Sequence, residues 1–288
     1  MSTVVETTEV AAQAPRSRGR IRSALRTPAG MVGAVVVVAI SCLGLLAPLL
    51  ASSDPAAQQA GASLLGPSTD HLLGTDEIGR DIFSRLLYGI RQNVIVVILA
   101  VPVSKAIGVV IGLLSTMHRR IDTAVQRILD VLIAFPNLIL GACLVAFLGA
   151  GFGTVVVVIV VIGIPMAARL TRTAVLTQRE REYVLGARAV GASRLGVLFR
   201  HVLPNSLDAL IVNFVLSAAT AIFVEGGLSL LGFGIQPPNP SLGSMVDAGL
   251  PYLADQPFYA LAPVTVITAL VIGLNLFADA LNRALRRG

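Results

Sequence analysis

The chain has 288 residues, of which 55% are hydrophobic and only 13% are charged, with a formal net charge of +6. Soluble domains carry about 25% charged residues, so this composition excludes an ordinary water-soluble protein and favours one surrounded by lipid. The positive charge does not indicate a nucleic-acid partner, because the arginines flank apolar segments instead of forming one face.

The N-terminal residues 1–26 are polar and arginine-containing, and we expect a disordered, basic cytoplasmic tail. The apolar run that follows is longer than the 7–15 residues of a signal-peptide core, so it is predicted to be an uncleaved membrane span. Residues 27–288 then form one transmembrane domain. Cys42 and Cys143 lie inside apolar runs and are expected to be small buried hydrophobes, without a disulfide or metal framework.

Six apolar segments are long enough to cross a bilayer, which requires about 20 residues each. Backbone groups in lipid must be satisfied within the segment, so even the β-branched runs are predicted to be helical. The sequence therefore predicts an all-α, polytopic membrane protein with six transmembrane helices, at about 31–51, 93–116, 131–150, 153–170, 208–232 and 258–281.

The arginines predict the orientation of these spans. With the N-terminus inside, 18 basic residues fall on the inner side and three on the outer side. Cytoplasmic segments carry such an excess, so both termini are predicted to be cytoplasmic and the loop 52–92 extracytoplasmic.

The end of this outer loop, "HLLGTDEIGRDIFSRLLYGIR" (71–91), is predicted to form an interfacial helix at the outer mouth. Thr75 is placed to cap that helix, and Asp81 and Arg85 have the spacing of an i,i+4 ion pair. The helix either contacts a substrate-delivery protein or packs as a plug against the first span. The candidate contact residues are Asp76, Arg80 and Asp81.

Three polar residues inside the predicted spans are candidates for a pathway or gate: Lys105, Asn213 and Glu225. A lysine at the centre of a span costs about 2.5–3.5 kcal/mol on insertion scales, so Lys105 should face protein or water. A direct ion pair between Lys105 and Glu225 is one hypothesis. Asn213 either touches the substrate or bonds a neighbouring helix.

The stretch "EYVLGARAVGASRLGVLFRHVLPN" (182–205) is polar and lies between the fourth and fifth spans. Its second half has apolar residues at helical spacing, with Ser193 placed to cap a helix and Pro204 to end it. Gly191 suits the turn between two short helices. The sequence predicts a helix pair on the inner membrane face, either docking a partner or resting on lipid.

This stretch resembles the cytoplasmic loop of bacterial ABC importer permeases, E-A-A-x3-G-x9-I-x-L-P. The glycine and the Leu-Pro end match, whereas Leu185 replaces the glutamate and His201 the isoleucine. In such permeases the loop fits a groove on the ATPase subunit. The resemblance therefore implies ATPase docking through segment 179–204, with candidate residues Gly186, Ala187, Gly191, Ala192, Ser193, Arg194, Leu203 and Pro204.

Two further stretches, 71–91 and "EGGLSLLGFGIQPPNPSLGSM" (225–245), resemble the C-type permease subunit of dipeptide and oligopeptide importers. The resemblance implies a type I permease fold in the bacterial plasma (inner) membrane. It also implies a second homologous permease, one or two ATP-binding subunits and an extracytoplasmic solute-binding protein. ATP and Mg²⁺ are expected on the partner subunits and no cofactor in this chain. Relatives of this family also carry nickel chelates, so that cargo or another small solute is the alternative.

The motifs that the sequence lacks also exclude functions. It has no G-x-x-x-x-G-K-[ST] loop, no H-E-x-x-H and no G-x-S-x-G elbow. We therefore expect no catalytic, cofactor or metal site, and an enzyme is not the favoured class. A secondary transporter driven by an ion gradient is the remaining alternative, although one asymmetric cytoplasmic helix pair fits inverted repeats poorly.

Overall fold

The computed structural model describes residues 22–179, 196 and 203–286, and α-helices make up most of this part of the chain. These residues contain no β-strand, only an isolated bridge between Thr75 and Asp81. The prediction of an all-α membrane protein is confirmed. Most of the predicted docking segment, 179–204, lies outside the described residues.

The predicted disordered tail, 1–26, extends too far along the chain. Residues 22–25 form a helical turn, and Ala24 is fully buried against Ala280 and Leu281 of the C-terminal helix. This apolar contact orders the end of the segment that composition alone assigned to the tail.

Helix α1 spans Pro28–Leu45 and the short α2 spans Ala47–Leu50. Thr27 caps α1, because its hydroxyl oxygen accepts a hydrogen bond from the Gly30 amide at 3.2 Å. Proline occupies the first turn, where its missing N–H leaves no helical bond unmade. A loop of irregular backbone, residues 51–81, then leads to the next helix.

Helix α3 spans Ile82–Ser115, and its 34 residues are about 51 Å long at 1.5 Å per residue. Asp81 caps it by accepting the Ser84 amide at 2.7 Å. The predicted separate helix capped by Thr75 was wrong, because the Thr75 hydroxyl instead donates to the Ala62 carbonyl. The second span thus begins eleven residues before the predicted 93.

The third predicted span, 131–150, is not one straight helix. Helix α4, Arg119–Ala134, and helix α5, Asn137–Leu148, meet at a bend of 96°. The break falls at Phe135 and Pro136, which have extended ψ values of 134° and 133°. Proline lacks an amide donor and disfavours helical geometry at the preceding residue, so the helix ends there.

Three further helices complete the bundle: α6 at Phe152–Arg179, α7 at Leu203–Leu230 and α9 at Pro257–Arg286. The short helix α8, Leu242–Gly249, lies between α7 and α9 and begins with a reciprocal capping box. In this box the Ser241 hydroxyl oxygen accepts the amide of Ser244, and the Ser244 hydroxyl oxygen accepts the amide of Ser241. Helix α8 packs on α3, α7 and α9, so a buried turn closes this end of the bundle.

Helices α3 and α6 pack through small residues. A β-carbon added to Gly108 would lie 2.5 Å from the Ala167 β-carbon, and one on Gly112 would lie 2.5 Å from the Ala168 carbonyl oxygen. Small residues at four-residue spacing let two helices approach closely, which favours association in lipid. This pair makes the most extensive helix–helix contact in the described part of the chain.

In the described part of the chain, five helices are long and apolar enough to cross a membrane, or six if the bent pair α4–α5 is one span. Cys42 and Cys143 are exposed on helices α1 and α5 and not buried as predicted. Both lie on faces turned away from the other helices, where lipid can solvate a thiol as well as protein does.

Candidate functional site

A cavity of about 370 Å³ lies between helices α3, α4, α5, α6 and α7. Most of its wall is apolar, and no charged side chain of the described residues lines it. Five uncharged polar side chains face it: Ser104, Asn137, Asn213, Ser217 and Thr220. The cavity therefore offers hydrogen bonds without a fixed charge.

Helix α7 supplies the most regular part of this polar lining. Asn213, Ser217 and Thr220 are spaced by four and three residues and so share one helical face. The Thr220 hydroxyl donates to the Leu216 carbonyl at 3.1 Å and is satisfied within its own helix. The side-chain amide oxygen of Asn213, Oδ1, is buried and has no hydrogen-bond partner among the described residues. An unsatisfied buried acceptor costs about 1–3 kcal/mol, so this oxygen is suited to bind a ligand or water.

Lys105, a predicted pathway candidate, lies beside the cavity and not in its wall. It is 8% exposed, and its ammonium group makes no hydrogen bond to any residue in the described ranges. The preceding residue, Ser104, does line the cavity, and its hydroxyl donates to the Val101 carbonyl at 2.9 Å.

Glu225 is fully buried and is bound by neutral donors. Its carboxylate accepts the Asn93 amide at 2.8 Å and the Ser229 hydroxyl at 2.8 Å. Lys105 lies twelve residues beyond Asn93 on α3, about 18 Å along the helix axis, which is more than a lysine side chain spans. The hypothesis of a direct Lys105–Glu225 ion pair was wrong. Glu225 is also not among the residues that line the cavity.

Asp76 and Arg80 face each other inside the loop 51–81. The Asp76 carboxylate accepts the Arg80 backbone amide at 2.8 Å and the Arg80 Nε at 2.5 Å. Arg85 Nε also lies 3.5 Å from this carboxylate, so the predicted Asp81–Arg85 pair was wrong. The arginine is instead positioned by Asp76 and by the Pro55 carbonyl, 3.1 Å away.

Asp81 is the cap of α3 and is also buried. Its carboxylate lies 3.0 Å from His71 Nδ1 and accepts the Ser52 hydroxyl at 3.3 Å. Asp76, Arg80 and Asp81 are at most 9% exposed, so they do not present the open surface predicted for contact with a delivery protein. They hold the loop together from within.

The predicted docking residues Gly186, Ala187, Gly191, Ala192, Ser193 and Arg194 lie outside the described residues. Leu203 and Pro204 begin helix α7, although their side chains are not described. The structure does describe the helices on either side of the docking segment. Both of them, α6 and α7, contribute residues to the cavity wall.

Two ion pairs that join α4 to α6 were not predicted from the sequence. Arg172 binds Asp122 through two bonds, of 2.5 and 2.6 Å, and Arg169 binds Asp130. From the sequence, these arginines were interpreted only as charges that set the orientation of the spans, so their aspartate partners were missed. The two aspartates on an otherwise basic and apolar segment were the available signal.

Comparison with known proteins identifies the family. Residues 108–288 match the family model described as "Binding-protein-dependent transport system inner membrane component", which is more than half of the chain. The chain belongs to this family. This membership confirms the resemblance noted in the sequence and makes the chain an inner-membrane permease component with several spans.

Two relatives align with most of the length of this permease. The dipeptide transport system permease protein DppC of Alkalihalophilus pseudofirmus is 36% identical over 88% of this chain and 84% of its own length. The glutathione transport system permease protein GsiD of Pectobacterium atrosepticum is 39% identical over 76% of this chain and 73% of its own length.

A solved structure of the MetNI methionine ABC transporter, in an inward-facing conformation, has the same fold. Its TM-score is 0.58 at 18% identity, with 72% of this permease and 97% of that chain covered. The predicted fold of an ABC importer permease is confirmed.

Proposed function

We propose that this permease forms part of the membrane pathway for di- and oligopeptides in an ATP-driven importer of the bacterial plasma membrane. The observation that carries the proposal is the 36% identity to a dipeptide permease over 88% of the chain. The uncharged polar cavity supports it, because hydrogen-bonding groups suit a peptide backbone whatever charges its side chains carry.

The rest of the machinery belongs to other polypeptides in this proposal. A second, homologous permease completes the pathway, and an extracytoplasmic solute-binding protein delivers the peptide. ATP and Mg²⁺ bind one or two ATPase subunits, because the sequence of this chain has no phosphate-binding loop. The chain itself therefore performs no catalysis.

The path from the ATPase to the cavity follows chain connectivity. Helix α6 ends at Arg179 and helix α7 begins at Leu203, so docking segment 179–204 joins two helices that line the cavity. A displacement of the segment by ATPase closure would move both walls and alternate access to the cavity. The exposed part of loop 51–81 faces the binding protein, while its buried charges keep the loop rigid.

Cargo is tested with the complete complex, co-purified with the neighbouring subunits and reconstituted in vesicles. ATP hydrolysis is measured with the solute-binding protein and a panel of di-, tri- and longer peptides, with nickel chelates as the competing cargo. We expect peptides to raise hydrolysis several-fold. Stimulation by a nickel chelate, with none by any peptide, would refute the peptide assignment.

Coupling is tested by Gly191→Trp, which places a bulky side chain in the proposed turn of the docking segment. We expect ATP-dependent uptake to be lost while membrane insertion is retained. The matched control is Gly153→Trp, because a β-carbon at this exposed position at the start of helix α6 has no atom within 4 Å. Normal uptake in the Gly191 variant would argue against docking there.

A further inference from the structure

Helix α4, Arg119–Ala134, differs from every other long helix in the described part of the chain. Its 16 residues combine a polar face with an apolar one, whereas the spanning helices are apolar nearly all round. It follows the end of α3 at Ser115 and precedes the bend into α5, so spanning segments tether it at both ends. A helix of this composition is typical of a membrane surface.

The charged residues of α4 fall into two groups: the aspartates are bound to another helix, and the arginines are exposed. Both aspartates are used internally, since Asp122 binds Arg172 and Asp130 binds Arg169 on helix α6. The three arginines of α4 are exposed and form no ion pair with any residue that the structure describes. These arginines are Arg119, Arg120 and Arg127. Together with His118, Thr123 and Ala124 they line an open depression. The exposed side of α4, which faces away from α6, is therefore strongly cationic.

The two ion pairs also indicate how α4 is oriented. Asp122 and Asp130 are eight residues apart, about 12 Å along α4, whereas Arg172 and Arg169 are three residues apart, about 4.5 Å along α6. A helix parallel to α6 would need partners equally far apart on both helices. The unequal spacing favours a helix α4 that crosses α6 at an angle, in keeping with its 96° bend against α5.

The exposed side of α4 carries apolar and basic residues next to each other. Ile121 and Ile128 are 47% and 62% exposed, and they are seven residues apart on one side of the helix. Arg120 and Arg127 have the same seven-residue spacing and lie beside them. In this arrangement the isoleucines can enter the acyl region while the arginines extend to the headgroups.

We propose that helix α4 lies in the plane of the membrane surface and binds anionic phospholipid headgroups through Arg119, Arg120 and Arg127. The partner is identified by its chemistry: phosphate oxygens next to an apolar layer match guanidinium groups next to exposed isoleucines. The surface goes beyond the proposed transport role and does not depend on the identity of the cargo.

The test uses the absence of tryptophan from this sequence. Ile128→Trp introduces the only tryptophan of the sequence, on the exposed side of α4, in the full-length chain reconstituted in vesicles. Its quenching is compared between brominated phosphatidylglycerol and brominated phosphatidylcholine at equal mole fraction. We expect the anionic lipid to be favoured roughly three- to tenfold at low salt, and the preference to shrink as salt is raised.

Two controls separate binding at α4 from general effects. Phe147→Trp, at a 92% exposed position of α5, should be quenched equally by both lipids and shows that the chain is inserted. The lipid preference of the Ile128→Trp fluorophore should vanish when R119Q/R120Q/R127Q is added. It should persist with R22Q/R26Q/R283Q, which removes the same charge from exposed positions elsewhere.

Three outcomes would overturn the proposal. The first is equal quenching of the Ile128→Trp fluorophore by the two lipids, and the second is the same loss of preference with both triple substitutions. The third comes from the assembled complex, in which bound phosphatidylglycerol is counted by mass spectrometry. If R119Q/R120Q/R127Q keeps its phosphatidylglycerol but loses the ATPase subunits or the second permease, the surface is a protein interface.

Discussion

Glu225 is stabilised inside the helix bundle by hydrogen bonds from neutral groups and not by an opposite charge. Asn93 on α3 and Ser229 on α7 donate to its two carboxylate oxygens. A buried carboxylate is costly in an apolar medium unless its oxygens are hydrogen-bonded. The bond from Asn93 joins α3 to α7, whereas the bond from Ser229 lies within α7.

Asn93→Leu should therefore destabilise the permease by about 1–3 kcal/mol, because one oxygen of Glu225 loses its donor. The effect should be smaller in a Glu225→Gln background, since an unpaired neutral amide costs less than an unpaired carboxylate. Thermal unfolding of the purified protein measures both. As control, Lys105→Met and Glu225→Gln should give additive losses, because these residues do not touch.

Two asparagines of the spanning helices, Asn213 and Asn275, are predicted to differ in importance for transport. Asn213 lies in the cavity wall with an unpartnered carbonyl oxygen, whereas exposed Asn275 donates to the Val271 carbonyl of its own helix at 2.8 Å. Asn213→Leu should lower peptide uptake by about three- to tenfold through loss of one hydrogen bond. Asn275→Leu should leave uptake unchanged. Equal effects of both substitutions would show that Asn213 does not contact the cargo.

At the scale of the helices, close packing of α3 on α6 depends on positions without side chains. Gly108→Ala should destabilise the protein by about 1–3 kcal/mol, because the new β-carbon would lie 2.5 Å from Ala167 Cβ and 2.9 Å from the Ile164 carbonyl oxygen. Thermal unfolding measures the loss. Gly153→Ala, at the start of α6, is the matched control, since nothing lies within 4 Å of its β-carbon. It should be neutral or slightly stabilising.

Helix type was predictable for the spanning segments, and helix ends were less so. Long apolar runs in lipid have one way to satisfy their backbone, so the helical state follows from composition. The start of α3 was misplaced because Thr75 and Asp81 are both acceptable caps, and only the loop contacts of Thr75 exclude it. The break before α5 had a local signal in Pro136, but its 96° angle depends on the packing of α4 against α6.

At the scale of the whole molecule, the charge distribution predicts that both termini face the cytoplasm. In a variant with Cys42 and Cys143 replaced by alanine, new cysteines test this at exposed positions of the outer loop and of helix α9. A membrane-impermeant maleimide should label Gly66→Cys in intact spheroplasts. It should label Arg283→Cys only after permeabilisation. The reverse pattern would invert the topology.

The sequence by itself determined that this protein lies in a membrane, that it is helical, and to which family it belongs. These conclusions rest on hydropathy, on the distribution of arginines and on the Gly191…Leu203–Pro204 spacing, which are all local properties of the sequence. The tertiary structure alone decided which polar groups meet. Asp76, Arg80 and Asp81 carry the composition of an exposed site, yet the loop folds over them and uses their hydrogen bonds internally. Likewise, Glu225 pairs with Asn93, 132 residues away, since the partner of a buried charge depends on which helices become neighbours.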